Sequence, residues 1–191
     1  MTMEDRYRDF LAEGHRDEDA AAEVIEKAIG GKVSRAPEKL DMTCHTDLLW
    51  ESPKGMLCSI DKKMRKKRGR HDSSYDDNAT WVELKDNAGN EGWAECQAGK
   101  LRNLGYDVDD RRDYVMFEAK DCYMFVQRMK LAPFVWGLID GKDTVFKNPR
   151  KTNIPYQRAD YGHLDLSVLV DFSDLDKITQ FKIPKQCQLT I

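Results

Sequence analysis

The 191-residue sequence predicts an α/β (α+β) domain, a central mixed β-sheet with flanking helices, on three observations. An alanine-rich stretch stops at paired glycines; strand–turn–strand units follow it twice; apolar segments then continue into the last third of the chain. No Pro-, Gly- or Ser-rich seam divides these parts, so residues 1–191 read as a single domain. Four Trp, seven Tyr and seven Phe spread along the chain supply the apolar area that offsets chain entropy, which excludes a disordered class.

The elements follow in order. Residues 4–14 predict a short helix broken at Gly14 and His15. A second helix starts after Asp17, with Ala20, Ala21, Ala22, Val24, Ile25, Ala28 and Ile29 supplying helix formers and an apolar stripe, and stops at Gly30-Gly31. His45 to Glu51 and Met56 to Met64 make a hairpin, because Ser52-Pro53-Lys54-Gly55 has proline and glycine where a tight turn takes them. Thr80 to Lys85 is a further strand, closed by Asp86-Asn87-Ala88-Gly89-Asn90, and Glu91 to Leu104 turns helical after Trp93. Asp113 to Glu118 and Cys122 to Gln127 form a second hairpin, followed by a short helix or loop through Leu131-Ala132-Pro133. Residues 140–162 read as loop. Leu164 to Phe172 is a further apolar strand, ending at a Ser173-Asp174-Leu175 turn.

Charge is balanced in total and uneven in place. The 31 Lys+Arg and 34 Asp+Glu leave a net −3, yet seven of the basic residues lie between Lys62 and Arg70. Apolar runs such as Ala132 to Ile139 fall far short of the roughly 18–20 residues that cross a bilayer, so no membrane partner is expected. The acidic Met-Thr-Met-Glu-Asp-Arg start lacks the features of a signal peptide. Five dispersed cysteines without a Cys-x-x-Cys pair read as reduced thiols of a cytoplasmic protein; Cys44 and His45 with a distant Cys lack zinc-site spacing.

The hairpin carries the chemistry. Asp47 lies on its outgoing strand and Asp61-Lys62-Lys63 on the returning one; alternation puts Asp61 and Lys63 on one side and Lys62 on the other. Two carboxylates and an ammonium on one patch suit metal-assisted phosphodiester cleavage: the carboxylates hold Mg²⁺ and the lysine orients the attacking water or stabilises the phosphorane.

An acidic residue on one strand and acidic-any-lysine on the next resembles the PD-(D/E)XK nuclease superfamily. The strand Thr80-Trp81-Val82-Glu83, a glycine-containing turn and the aromatic strand Arg112-Asp113-Tyr114-Val115-Met116-Phe117 resemble its phage-type branch. The resemblance covers about residues 15–130 as a restriction-endonuclease-like core, with 131–191 as a C-terminal strand and extension. It departs from the commonest pattern in having Asp61 rather than Glu before the lysine, and no Pro before Asp47. It implies a Mg²⁺-dependent deoxyribonuclease, with Mn²⁺ as a substitute, that leaves a 5′-phosphate in the cytoplasm of a bacterium or phage-infected host cell. Asp47, Asp61 and Lys63 are its catalytic set. Asp47 and Asp61 are its metal ligands, joined by Glu18 or Glu23 from the preceding helix, with His15 within reach. Homodimerisation, as in many relatives, stays open.

A second register has Asp61 as first acid and Glu83 with Lys85 as the following pair. The earlier register is preferred because the Pro-Gly turn makes Asp47 and Asp61 neighbours. Lys62, Arg65, Lys66, Lys67, Arg68 and Arg70 continue from the motif strand and read as DNA-phosphate contacts. Two other classes fit the same residues: an inactive nucleic-acid-binding module of this fold, and an RNA-directed nuclease.

Overall fold

The computed structural model describes residues 3–64, 78–146, 151–157 and 164–185. Helix α1 (Met3–Ile29) leads into strand β1 (Lys32–Arg35), helix α2 (Glu38–Cys44) and the hairpin β2 (Leu48–Glu51) and β3 (Leu57–Lys63). Then come β4 (Ala79–Lys85), α3 (Ala98–Asn103), β5 (Asp113–Glu118), β6 (Cys122–Gln127) and α4 (Arg128–Ile139). The described chain ends with β7 (Pro155–Gln157), β8 (Leu166–Asp171), α5 (Phe172–Leu175) and β9 (Thr179–Pro184).

Six strands form a mixed sheet in the order β1-β2-β3-β5-β6-β9, antiparallel except for the parallel β3–β5 pair. Alternation decides what each face buries. Ile60, Tyr114, Met116 and Phe125 point to one side, where Ala21 and Ile25 of α1 cover them. Val115, Phe117, Met124 and Val126 point to the other, under Leu131 and Val135 of α4 and Val82, Val168 and Val170 of a three-stranded sheet, β4-β8-β7. The fold is thus mixed α/β, with a mixed sheet between helical layers.

Several expectations need correction. α1 runs unbroken over 27 residues through Gly14 and His15. One helical glycine costs about 1 kcal/mol, and Arg35 braces this stretch by donating to the His15 carbonyl at 2.9 Å and pairing with Asp19. The strand expected from His45 starts only at Leu48, because Leu40 and Cys44, one helical turn apart, bury together in α2 and His45 closes it in the left-handed conformation, φ 47°. Helix α3 is shorter than the Glu91–Leu104 stretch, covering Ala98–Asn103. Pro133 does not end α4, since burial of Leu131, Ala132, Val135 and Ile139 carries the helix through it. The loop expected over 140–162 contains β7. Strand β4 leaves the central sheet and pairs with β8.

The Ser52–Gly55 turn forms as the sequence predicts. Gly55 N–H donates to the Ser52 carbonyl at 2.8 Å, and Gly55 sits at φ +73°, which favours glycine.

Candidate active site around Asp61

Strand β3 sets the site by parity. Ser59, Asp61 and Lys63 face α4, while Lys62 faces α1 and donates to the Asp17 carbonyl at 2.9 Å. One step beyond the last β2–β3 pair, Leu48 with Ile60, Asp47 stands opposite Asp61. Its backbone N–H donates to the Ile60 carbonyl at 3.0 Å, and its carboxylate accepts the Lys62 backbone N–H at 2.6 Å. Burial first, and the like charge of Asp61 second, push the Asp47 carboxyl up to about 7.

Asp61 is 1% exposed and lies between two cations. Lys63 Nζ is 2.7 Å from its Oδ1, and Arg128 Nη2 is 3.1 Å from its Oδ2. Oδ2 has no hydrogen-bond partner among the described residues. Lys63 also sits over the Trp93 ring, 4.4 Å from its centroid, so carboxylate and aromatic face together fix the ammonium.

Arg128, the first residue of α4, is fully buried. It donates to the carbonyls of Cys44 at 3.0 Å and His45 at 2.6 Å, where α2 ends. Its Nε lies 3.7 Å from Asp113 Oδ1. Asp113, also buried, accepts from Ser59 Oγ at 2.8 Å and from the Gln97 backbone at 2.7 Å. Burial lowers the His45 imidazole pKa against the opposing pull of Asp61. A cleft of about 640 Å³ opens beside His45, lined also by Met42, Asn90, Glu91 and Lys100.

The alternative register divides. Glu83 on β4 is held above the usual carboxylate range by burial, and Lys63 is the foremost charge opposing that rise. Lys85 is exposed on the same strand. Glu83 thus joins the electrostatic surroundings of Lys63, and Lys85 makes no contact with Asp61. Glu18 lies 3.7 Å from Arg35, its pKa raised by burial, among His15, Arg35, Asp41 and Lys62. Glu23 is exposed and lines a separate groove with Lys27, Glu118 and Tyr123. Arg65, Lys66, Lys67, Arg68 and Arg70 lie outside the described residues.

Asp47 and Asp61 offer hard oxygen donors; Asp61 Oδ2 accepts no hydrogen bond, although Arg128 Nη2 stands 3.1 Å from it as an ion-pair partner. Such donors fit Mg²⁺, which takes one or two carboxylates and completes its shell with water and substrate phosphate. No cluster of three or more His, Cys, Asp or Glu that could hold a metal occurs among the described residues.

Sequence reasoning missed Arg128, Asp113, Ser59 and Trp93. The available signal was Arg128 itself, a charge shortly before the apolar run Leu131–Ile139 and directly after an aromatic strand. Among the described residues no helix is long and apolar enough to cross a membrane. Searches of family models, curated proteins and solved structures return no match to this chain.

Proposed function

We propose that this chain is a metal-dependent phosphodiesterase acting on DNA, with a restriction-endonuclease-like core of the PD-(D/E)XK kind. The observation that carries the reading is the patch of Asp47, just before β2, with Asp61 and Lys63 on the paired strand β3, Lys63 Nζ lying 2.7 Å from Asp61. Asp47 and Asp61 would hold Mg²⁺, or Mn²⁺ in its place. When bound, the ion supplies positive charge to the scissile phosphate and lowers the pKa of a coordinated water.

The chain's own groups do the rest. Asp47 gives up its proton on loading, since its raised pKa reflects burial and the neighbouring Asp61 charge. Lys63, pinned by Asp61 and Trp93, presents an ammonium to the charge that develops on the phosphoryl oxygens or orients the attacking water. The basic residues from Arg65 to Arg70 support DNA as substrate, because a phosphate backbone is held mainly by such charge; Lys62, expected among these contacts, is instead turned to α1 and bonded to the Asp17 carbonyl.

One observation favours a second reading, an inactive nucleic-acid-binding module. Both Asp61 oxygens face cations, Lys63 and Arg128, and an ion-paired carboxylate is a weaker metal ligand. Incubating the chain with plasmid, linear and branched DNA, and with RNA, in Mg²⁺, Mn²⁺ or EDTA separates the readings. Divalent-dependent cutting of DNA supports the enzyme. Tight DNA binding without cutting supports the module, and cutting confined to RNA replaces the substrate.

A further inference from the structure

We propose that Arg128 is a positioning residue that sets the separation of the two carboxylates, Asp47 and Asp61, and thereby the affinity of the site for a divalent cation. The inference deepens the nuclease reading and rests on it.

A fully buried guanidinium is a costly thing to keep. Removing it from water is repaid only by well-placed partners, and buried ion pairs are often replaced by apolar side chains without loss of stability. Stability alone therefore does not account for an arginine at this position, and its partners indicate what it does. Nη2 reaches both the Asp61 carboxylate, at 3.1 Å, and the His45 carbonyl, at 2.6 Å. Nη1 holds the Cys44 carbonyl at 3.0 Å. Both carbonyls belong to the open end of α2, where helical acceptors lack intrahelical donors.

From there the chain has little freedom before Asp47. His45 is fixed in the left-handed conformation, φ 47°. Thr46 is buried, and its hydroxyl donates to the same Cys44 carbonyl at 3.3 Å. Asp47 follows, tied by its backbone N–H to Ile60. One planar group thus grips Asp61 directly and, through the carbonyls just before it, the backbone that delivers Asp47. Asp113, held by Ser59 and Gln97, places its Oδ1 3.7 Å from Nε as a charge partner; Nε itself has no hydrogen-bond partner among the described residues.

Lysine in its place would keep the charge and lose the fork, since an ammonium cannot span three acceptors with one rigid plane. Arg128→Lys therefore isolates geometry from electrostatics. Outer-shell partners of this kind are worth about 10- to 100-fold in metal affinity. Isothermal titration of Mn²⁺ into wild type and Arg128→Lys, without DNA and at pH 8, reads that affinity directly; DNA affinity in EDTA is measured alongside. The expected result is a Kd for Mn²⁺ raised at least tenfold, with DNA affinity within twofold of wild type.

A purely structural role would lower the melting temperature and leave the Kd for Mn²⁺ of the folded variant unchanged. An unchanged Kd in folded Arg128→Lys overturns the proposal and leaves the nuclease reading standing. If Arg128→Lys does not fold, Asp113→Asn takes its place, removing the negative charge beside Nε while retaining Arg128. Its Kd for Mn²⁺ is expected to rise by roughly threefold or more, below the full outer-shell effect, and no change overturns the proposal. If wild type itself binds no Mn²⁺, the metal-site reading fails, and the role of Arg128 fails with it.

Discussion

Asp47 faces Asp61 across the β2–β3 pair, and its carboxyl keeps a proton up to about pH 7. In the unfolded chain the same group ionises near 3.8. The folded state therefore binds the extra proton between these values, and the stability this gives is full below pH 4 and lost as pH rises through 7. Asp47→Asn, which cannot ionise, should melt higher than wild type at pH 8, by an amount on the order of a few kcal/mol at most, and match it more closely at pH 5. The same variant should lose divalent-dependent cleavage. Melting curves at the two pH values, with a cleavage assay, check both halves.

Asp61→Asn carries a different expectation. From sequence it reads as neutral to the fold, but the structure leaves Lys63 and Arg128 facing a neutral amide. Breaking a buried pair by removing one partner costs roughly 3–5 kcal/mol. Denaturant titration should show a loss of that order, and the fraction that stays folded should not cleave. Wild-type turnover in folded Asp61→Asn would remove the site from both registers.

The choice of register reduces to two lysines. Lys63→Ala removes the ammonium beside Asp61 and Trp93, and Lys85→Ala removes an exposed side chain. A loss of about 100-fold or more is expected for the first, the size of one transition-state stabiliser. Little change is expected for the second. Single-turnover rates at saturating DNA and Mg²⁺ make the comparison, and the opposite pattern would transfer the lysine role to β4.

Replacing Arg65, Lys66, Lys67 and Arg68 with Gln should flatten the salt dependence of DNA binding. Each phosphate contact adds about 0.9 to the slope of log K against log salt, so the slope should fall by roughly three to four. On the nuclease reading, saturating DNA should restore much of the cleavage rate, since these side chains would bind substrate and leave the chemistry to Asp61 and Lys63. An unchanged slope would detach the basic run from DNA.

What the sequence discloses follows the range of the interactions. The Ser52–Gly55 turn and the shared face of Asp61 and Lys63 depend on neighbours a few positions apart, and both were legible. Gly14 was misread as a break because the bond from Arg35 to the His15 carbonyl joins residues 20 apart. The departure of β4 to a second sheet depends on β8, and β1, a mostly exposed edge strand of four residues, has little apolar signature. Arg128 was the least legible, since two of its partners are main-chain carbonyls and no side-chain pattern announces them.

That same bond has a consequence in time. Arg128 follows His45 by 83 residues and Asp61 by 67, so during synthesis at roughly 5–20 residues per second the strand bearing Asp61 precedes its anchor by several seconds. Closing so long a loop also places the event late in folding, after the local β2–β3 hairpin has formed. A nascent chain thus carries both acids and Lys63 in the register of the hairpin before Arg128 arrives to anchor Asp61. Cutting power should arrive abruptly, once α4 docks, and not accumulate as the hairpin matures.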